Sequence, residues 1–334
     1  MNELSPATTV HYEGETAPRN ALVATALTAL HPALGYLYVG KARASMLTAL
    51  FFVAYLATFL ISWALLQYFP LLPMSVLLGG WVLLTLMCLV GVLREVRHQP
   101  EDYLLRGFNH AVVYALVYVM LGLVPIYATY YLSTQVLWGM VKVNDNSMYP
   151  SVVPGDTLLI DRMAYSAQSP QRGQKVVVRA GDTDLPGGAS VILSRVVAVG
   201  GDKVQVSAGG VLVNDAPLER FYYGEDGQLP EGALAGEPAP FLGRAYIEDN
   251  HGARYVVAGE LSPAAEANAE VIVVAEGEVL LMSDHRSAVQ ERPFMAAATH
   301  RILGRPRYIL YSESIPEQGD AAQPRWSRVG LRVD

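Results

Sequence analysis

The chain has 334 residues, of which 52% are hydrophobic and only 16% charged, against about 25% in soluble domains, so one ordinary soluble globule cannot account for all of it. A formal net charge of -7 argues against nucleic acid as the main partner, and a single cysteine, Cys88, excludes a disulfide framework. Scattered histidines supply no metal-ligand spacing, and Gly187-Gly188 and Gly200-Gly201 lack the Lys-Ser/Thr of a phosphate loop, so neither a metal nor a cofactor is expected.

Residues 1–19 are acidic and polar, without the basic n-region of a cleavable signal peptide, and read as an N-terminal tail. From Ala44 to Leu93 no residue is charged. A bilayer crossing needs about 20 apolar residues. Ala44–Leu66, Phe69–Leu93 and Ala111–Leu132 meet that need and predict spans within a transmembrane helical domain over 20–138. Asn20–Val39 is a fourth candidate, broken by His31-Pro32 and Gly35, and reads as a kinked span or an interfacial helix. His31 reads as a kink residue whose imidazole finds a carbonyl, with a proton relay as the alternative. Tyr114, Tyr118, Tyr127, Tyr130 and Tyr131 read as an interfacial belt, with a tyrosine-lined binding site as the alternative. Lys41 and Arg43 precede the second segment, and Arg94, Arg97 and Arg106 precede the last. The excess of basic residues in cytoplasmic loops then puts everything beyond about Leu132 outside.

From Lys142 the pattern changes to short β-branched runs: Thr157–Ile160, Lys175–Val178, Val191–Val199, Lys203–Val206, Val211–Val213, Val271–Val274, Val279–Met282 and Arg307–Tyr311. Turn residues such as Pro154-Gly155-Asp156, Gly200-Gly201-Asp202 and Asn214-Asp215 separate them, which predicts an all-β domain over 139–316. Residues 217–270 read as a loop-rich insertion and 317–334 as a C-terminal tail. The expected fold class is therefore an α-helical transmembrane bundle of three or four spans followed by an all-β domain.

The chemistry-bearing stretch is Val143–Asp156, VNDNSMYPSVVPGD. A serine hydroxyl becomes a nucleophile only when a neighbouring base takes its proton. Ser147, Met148, Pro150, Gly155 and Asp156 match the nucleophile box of the type I signal peptidases (peptidase family S26), which the chain resembles. Further boxes follow in the same order: Gly173–Val178, Ser194–Asp202, Ser283–Arg286 and His300–Arg305. The resemblance covers about 143–312. It implies a signal-peptidase-like β domain, Ser147 as nucleophile with its own N–H as an oxyanion donor, Met148 and Pro150 shaping the groove, and Gly155, Asp156, Arg195, Asp202, Asp284 and Arg286 as structural residues of the boxes.

Three positions depart from the family pattern. Its general-base lysine is here Ser194. The position two before the nucleophile, serine or glycine in the family, is Asp145, a carboxylate where negative charge develops in the transition state. A serine that orients the lysine aligns with Val289. Replacement bases are then His285, which could form a triad-like set with Asp284, or one of the three lysines of this half, Lys142, Lys175 and Lys203; His251 and His300 are worse placed. Having no base at all is a further alternative.

What the resemblance implies is a serine endopeptidase removing signal peptides from exported proteins, multi-pass in the bacterial inner membrane, with its C-terminal domain extracytoplasmic. Its partners would be signal peptides or other extended segments, the lipid bilayer and secretion-machinery proteins. The competing reading is a catalytically inactive module of the same fold, a pseudoenzyme that binds extended peptides or scaffolds an export or envelope complex. A third puts the function in the membrane half, as transporter or scaffold, although no charged residue inside it supports transport.

Overall fold

A computed structural model describes residues 16–64, 75–179, 191–207, 210–225, 244–261, 271–288, 294–315 and 321–333. The chain divides into two compact units, Met1–Ser133 and Thr134–Asp334.

The first unit is helical: α1 (Ala21–Leu30), α2 (Pro32–Tyr38), α3 (Ala42–Ala64), α4 (Val76–Arg97) and α5 (Ala111–Leu137), the last ending in the second unit. Three stretches, in α3, α4 and α5, are long and apolar enough to cross a membrane. Of the expected Phe69–Leu93, residues 75–93 are described and helical; residues 69–74 lie outside those described. The third runs past the expected Leu132. Its tyrosines Tyr127, Tyr130 and Tyr131 are exposed on the helix surface.

Asn20–Val39 is neither a kinked span nor a single interfacial helix. It is a hairpin of two short helices that ends where it begins. The Asn20 N–H donates to the Tyr38 hydroxyl (3.0 Å), and the Arg19 guanidinium lies over the Tyr38 ring. Legs of ten and seven residues rise about 15 and 10 Å, too little for a core of about 30 Å. Pro32 cannot continue α1 but fits the first turn of α2. His31 caps that turn: the Ala33 N–H donates to its Nδ1 (3.3 Å), so this nitrogen is unprotonated. The imidazole thus finds a backbone N–H at the kink. Lys41 pairs with Glu95 (3.1 Å) and Arg106 donates to the Gly40 carbonyl (3.0 Å), gathering the basic residues at the hairpin's open end.

The second unit is all-β: β1 (Trp138–Lys142), β2 (Asp156–Asp161), β3 (Lys175–Arg179), β4 (Val191–Val199), β5 (Lys203–Ser207), β6 (Gly210–Val213), β7 (Ala216–Pro217), β8 (Glu219–Glu225), β9 (Arg244–Asn250), β10 (Ala253–Ala258), β11 (Ile272–Val273), β12 (Glu278–Met282), β13 (Met295–Ala298) and β14 (Ile302–Ser312). A seven-stranded sheet runs β1-β2-β14-β3-β4-β12-β13, beside a four-stranded β11-β5-β6-β7 and a three-stranded β10-β9-β8. Burial follows the β-branched runs: Val176, Val177, Val178, Val196 and Val197 are fully buried.

Two sequence expectations are corrected here. Residues 217–270, read as loop-rich, hold β8, β9 and β10 among their described residues. The hairpin β9–β10 turns on His251-Gly252, both at positive φ (53° and 91°), a two-residue turn without the usual Asn-Gly signature. The described part of the expected tail, residues 321–333, packs onto the domain: Val333 is 1% exposed and Arg328 is buried against Asp156.

Candidate active site

The site grows from the link between β1 and β2. The Val143 N–H donates to the Asp156 carbonyl and the Gly155 N–H to the Val143 carbonyl (both 2.8 Å), closing 143–156 into a compact loop. Asp156, fully buried, holds its base. The carboxylate accepts from the Val153 N–H (3.0 Å), the Ser312 hydroxyl (2.7 Å) and the Arg328 guanidinium (2.9 and 2.6 Å). Met148 plugs the loop into the core with Val143, Leu158, Val177, Ile309 and Val333, and Pro150 is buried behind it. Gly155 sits at φ +90°, where an added Cβ would come within 2.0 Å of the Glu313 carbonyl oxygen. Gly155→Ala is expected to destabilise the domain by about 1–3 kcal/mol, read as a lower midpoint in denaturant unfolding of the purified chain. An unchanged midpoint would show that the loop relaxes freely.

Ser147 stands at the crest, half-buried. Its N–H donates to Asp145 Oδ1 (2.8 Å), a turn closed by the aspartate side chain over two residues. The donor that the family mechanism needs for the oxyanion is thus bonded to a carboxylate. The turn is local and legible in principle from the spacing Asp145-x-Ser147.

His285 lies against the same turn. Its N–H donates to the Ser147 carbonyl (2.9 Å) and its Nδ1 meets the Asn146 carbonyl (3.3 Å). A carbonyl only accepts, so Nδ1 carries the proton and Nε2 is the basic nitrogen. Burial pushes this imidazole below the ordinary histidine value, and the bond to Asn146 opposes that to a lesser degree.

Asp284, expected in a triad-like set with His285, is taken up by Arg195. Asp284 is fully buried and binds Arg195 through both oxygens (2.5 and 2.6 Å), with the Ser151 hydroxyl at 3.4 Å. A buried carboxylate takes the planar guanidinium in preference to an imidazole because two parallel charge-assisted bonds satisfy both oxygens. Arg195 also donates to the Gly173 carbonyl and covers the Tyr255 ring at 4.0 Å. Arg286 is buried on Glu248 of β9, which also takes the Tyr255 hydroxyl (2.8 Å) and Arg220 (3.1 Å). Burial would raise the Glu248 carboxyl, but Arg286 and Arg220 outweigh it and hold it below its ordinary value. The Ala258 N–H donates to the Asp284 carbonyl (2.9 Å), so the sheet β8–β10 braces the segment that carries His285. Glu248 and Tyr255 escape a reading of short motifs because their partners lie far along the chain.

The remaining candidates are placed as follows. Ser194, 5% exposed, lies on β4 opposite Val176 of β3. Asp202 ties its turn together through Arg172, the Val199 N–H (2.8 Å) and Asn214 (2.9 Å); burial opposes the charge, but these partners win and lower its pKa. Lys175 is buried, and its Nζ donates to the Val333 carbonyl (2.7 Å). Lys142 pairs with Glu313 (2.5 Å) and Lys203 with Asp215 (3.0 Å). His251 occupies the β9–β10 turn and His300 an exposed short helix. Val289 lies outside the described residues.

A β-rich domain that displays a serine turn in this box order defines a class. The family model described as signal peptidase, peptidase S26 matches residues 115–307, more than half of the chain, and the chain belongs to that family. Among curated proteins it is similar to a signal peptidase I of Leptolyngbya laminosa, 30% identical over 83 residues, covering 24% of this chain and 41% of the relative. It is also similar to a probable signal peptidase I-2 of Synechocystis sp., 28% identical over 119 residues, covering 35% of this chain and 48% of the relative. The chain thus spans less than half the length of these relatives.

Proposed function

We propose that this chain is a membrane-anchored serine endopeptidase that removes signal peptides from exported proteins. Ser147 Oγ attacks the scissile carbonyl while His285 Nε2 takes its proton. The peptide C–N bond then breaks, the imidazolium returns that proton to the leaving amine, and water releases the acyl group from Ser147. One observation carries the reading: His285 docks by main chain and imidazole on the main chain of Asn146 and Ser147, with Nε2 as its basic nitrogen. The three lysines of this half, each bonded to another group, support histidine over a displaced lysine. In the membrane the basic end of the helical unit faces the cytoplasm, the hairpin 20–39 re-enters from that side, and the β domain faces out. Signal peptides, the bilayer and secretion-machinery proteins are then its partners.

A second reading has its own support. Asp145 on the Ser147 amide and serine at position 194 favour an inactive module that retains the family fold and binds extended peptides. The test is cleavage of a preprotein bearing an Ala-x-Ala site by the purified chain in detergent. The peptidase reading expects cleavage by wild type, none by Ser147→Ala, and a loss of about 10²-fold in His285→Ala. Burial lowers the His285 pKa, so the rate should be flat above the ordinary histidine value and fall only at lower pH, as the imidazole becomes protonated. A rate still climbing at alkaline pH would instead require a lysine base. An inert wild type with intact peptide binding would establish the second reading.

A further inference from the structure

We propose that Asp145 selects the peptide this site accepts, favouring a client with lysine or arginine just beyond the scissile bond. The inference rests on the peptidase reading and deepens it. The Ser147 N–H has two claimants. In the resting chain it donates to the Asp145 carboxylate, and in the transition state it must turn to the developing oxyanion. An ionised Asp145 therefore opposes the reaction twice, by holding the donor and by placing negative charge beside negative charge.

Among the described residues no cation is paired with Asp145, which is exposed. Five described cations of the surrounding elements are bonded elsewhere: Lys142 to Glu313, Arg195 to Asp284, Arg286 to Glu248, Arg328 to Asp156 and Lys175 to the Val333 carbonyl. A bound peptide can supply that counter-charge. A peptide carbonyl in position for attack stands about 3–3.5 Å from Ser147 Oγ. The next residue follows one Cα step of about 3.8 Å away. A long cationic side chain there reaches a carboxylate two residues from Ser147. It draws Asp145 off the amide and leaves the N–H for the oxyanion. A glutamate in the same place does the reverse.

The experiment uses the full chain in detergent and three preproteins identical except for lysine, alanine or glutamate after the Ala-x-Ala site. Wild type is expected to cleave them in that order, each step about three- to fivefold in kcat/KM, as exposed charge pairs allow, with the spread shrinking at high salt. Asp145→Ser is expected to remove the order and to cleave the alanine substrate faster than wild type does. A flat wild-type profile, or the same order retained in Asp145→Ser, overturns the proposal. If no variant cleaves, the peptidase reading fails separately. Fluorescence anisotropy of the corresponding peptides on Ser147→Ala then decides: tighter binding of the lysine peptide, lost in Asp145→Ser/Ser147→Ala, sustains the charge selection, and equal affinities overturn it.

Discussion

Ser194→Lys is expected to raise the cleavage rate by about 10²–10⁴-fold, the range a positioned general base contributes, if the chain has no working base, and to change it little if His285 already serves as one. Position 194 is where the family resemblance puts the base, and its surroundings suit one. Ser194 is 5% exposed on β4, paired with Val176 and two residues from Val196, both fully buried. An ammonium there loses its water without gaining an anion among those neighbours, so its pKa falls toward neutrality and the free amine can take a proton. Enlarging the side chain by three heavy atoms at a packed position works against stability, by about 1–3 kcal/mol. The measurement is preprotein cleavage by Ser194→Lys, by Asp145→Ser and by the double variant, each with a Ser147→Ala control. A gain in Ser194→Lys that the Ser147 control abolishes identifies the missing base as the main lesion. A gain only in the double variant shows that the absent base and the carboxylate on the Ser147 amide each block the reaction. Inertness of all three removes Ser147 as a latent nucleophile.

Asp284→Ala is expected to destabilise the β domain by about 3–5 kcal/mol, a large share of the 5–15 kcal/mol typical of a domain. Asp284 is fully buried and Arg195 only 2% exposed, so deletion leaves a guanidinium with no counter-ion in the interior. The Ser151 hydroxyl loses its longer contact to Asp284 (3.4 Å) but keeps the Met148 carbonyl (3.1 Å). The double variant Arg195→Met/Asp284→Leu removes both charges at similar volume and is expected to recover most of the loss. Denaturant unfolding of wild type, single and double variants checks this. A double variant as unstable as the single would mean that geometry, rather than an uncompensated charge, sets the penalty.

Legibility followed the range over which each interaction acts. The strands Lys175–Arg179 and Val191–Val199 were readable because β-branched runs bury both faces. The nucleophile loop was readable because its turn residues are contiguous, and Gly155 takes a backbone angle that favours glycine. β9 was not readable: its inward positions hold Glu248 and Asn250 as well as Ala245, so the alternation looked polar. Glu248 is tolerated inside only because Arg286 and Arg220 arrive from elsewhere in the chain. The C-terminal segment misled for the same reason, since Arg328 is buried by an aspartate 172 residues away.

The sequence by itself determined a helical half rich in apolar residues, an all-β half, the family and the serine loop, because periodicity, turn chemistry and box order are properties of neighbouring residues. Only the tertiary structure decided which groups meet. It bonded Asp284 to Arg195, set His285 on the serine loop, buried Lys175 on the Val333 carbonyl and folded 20–39 back on itself. The reason is physical: a buried charge or carbonyl takes whichever partner the packing brings within bonding distance, and separation along the chain carries no record of that choice.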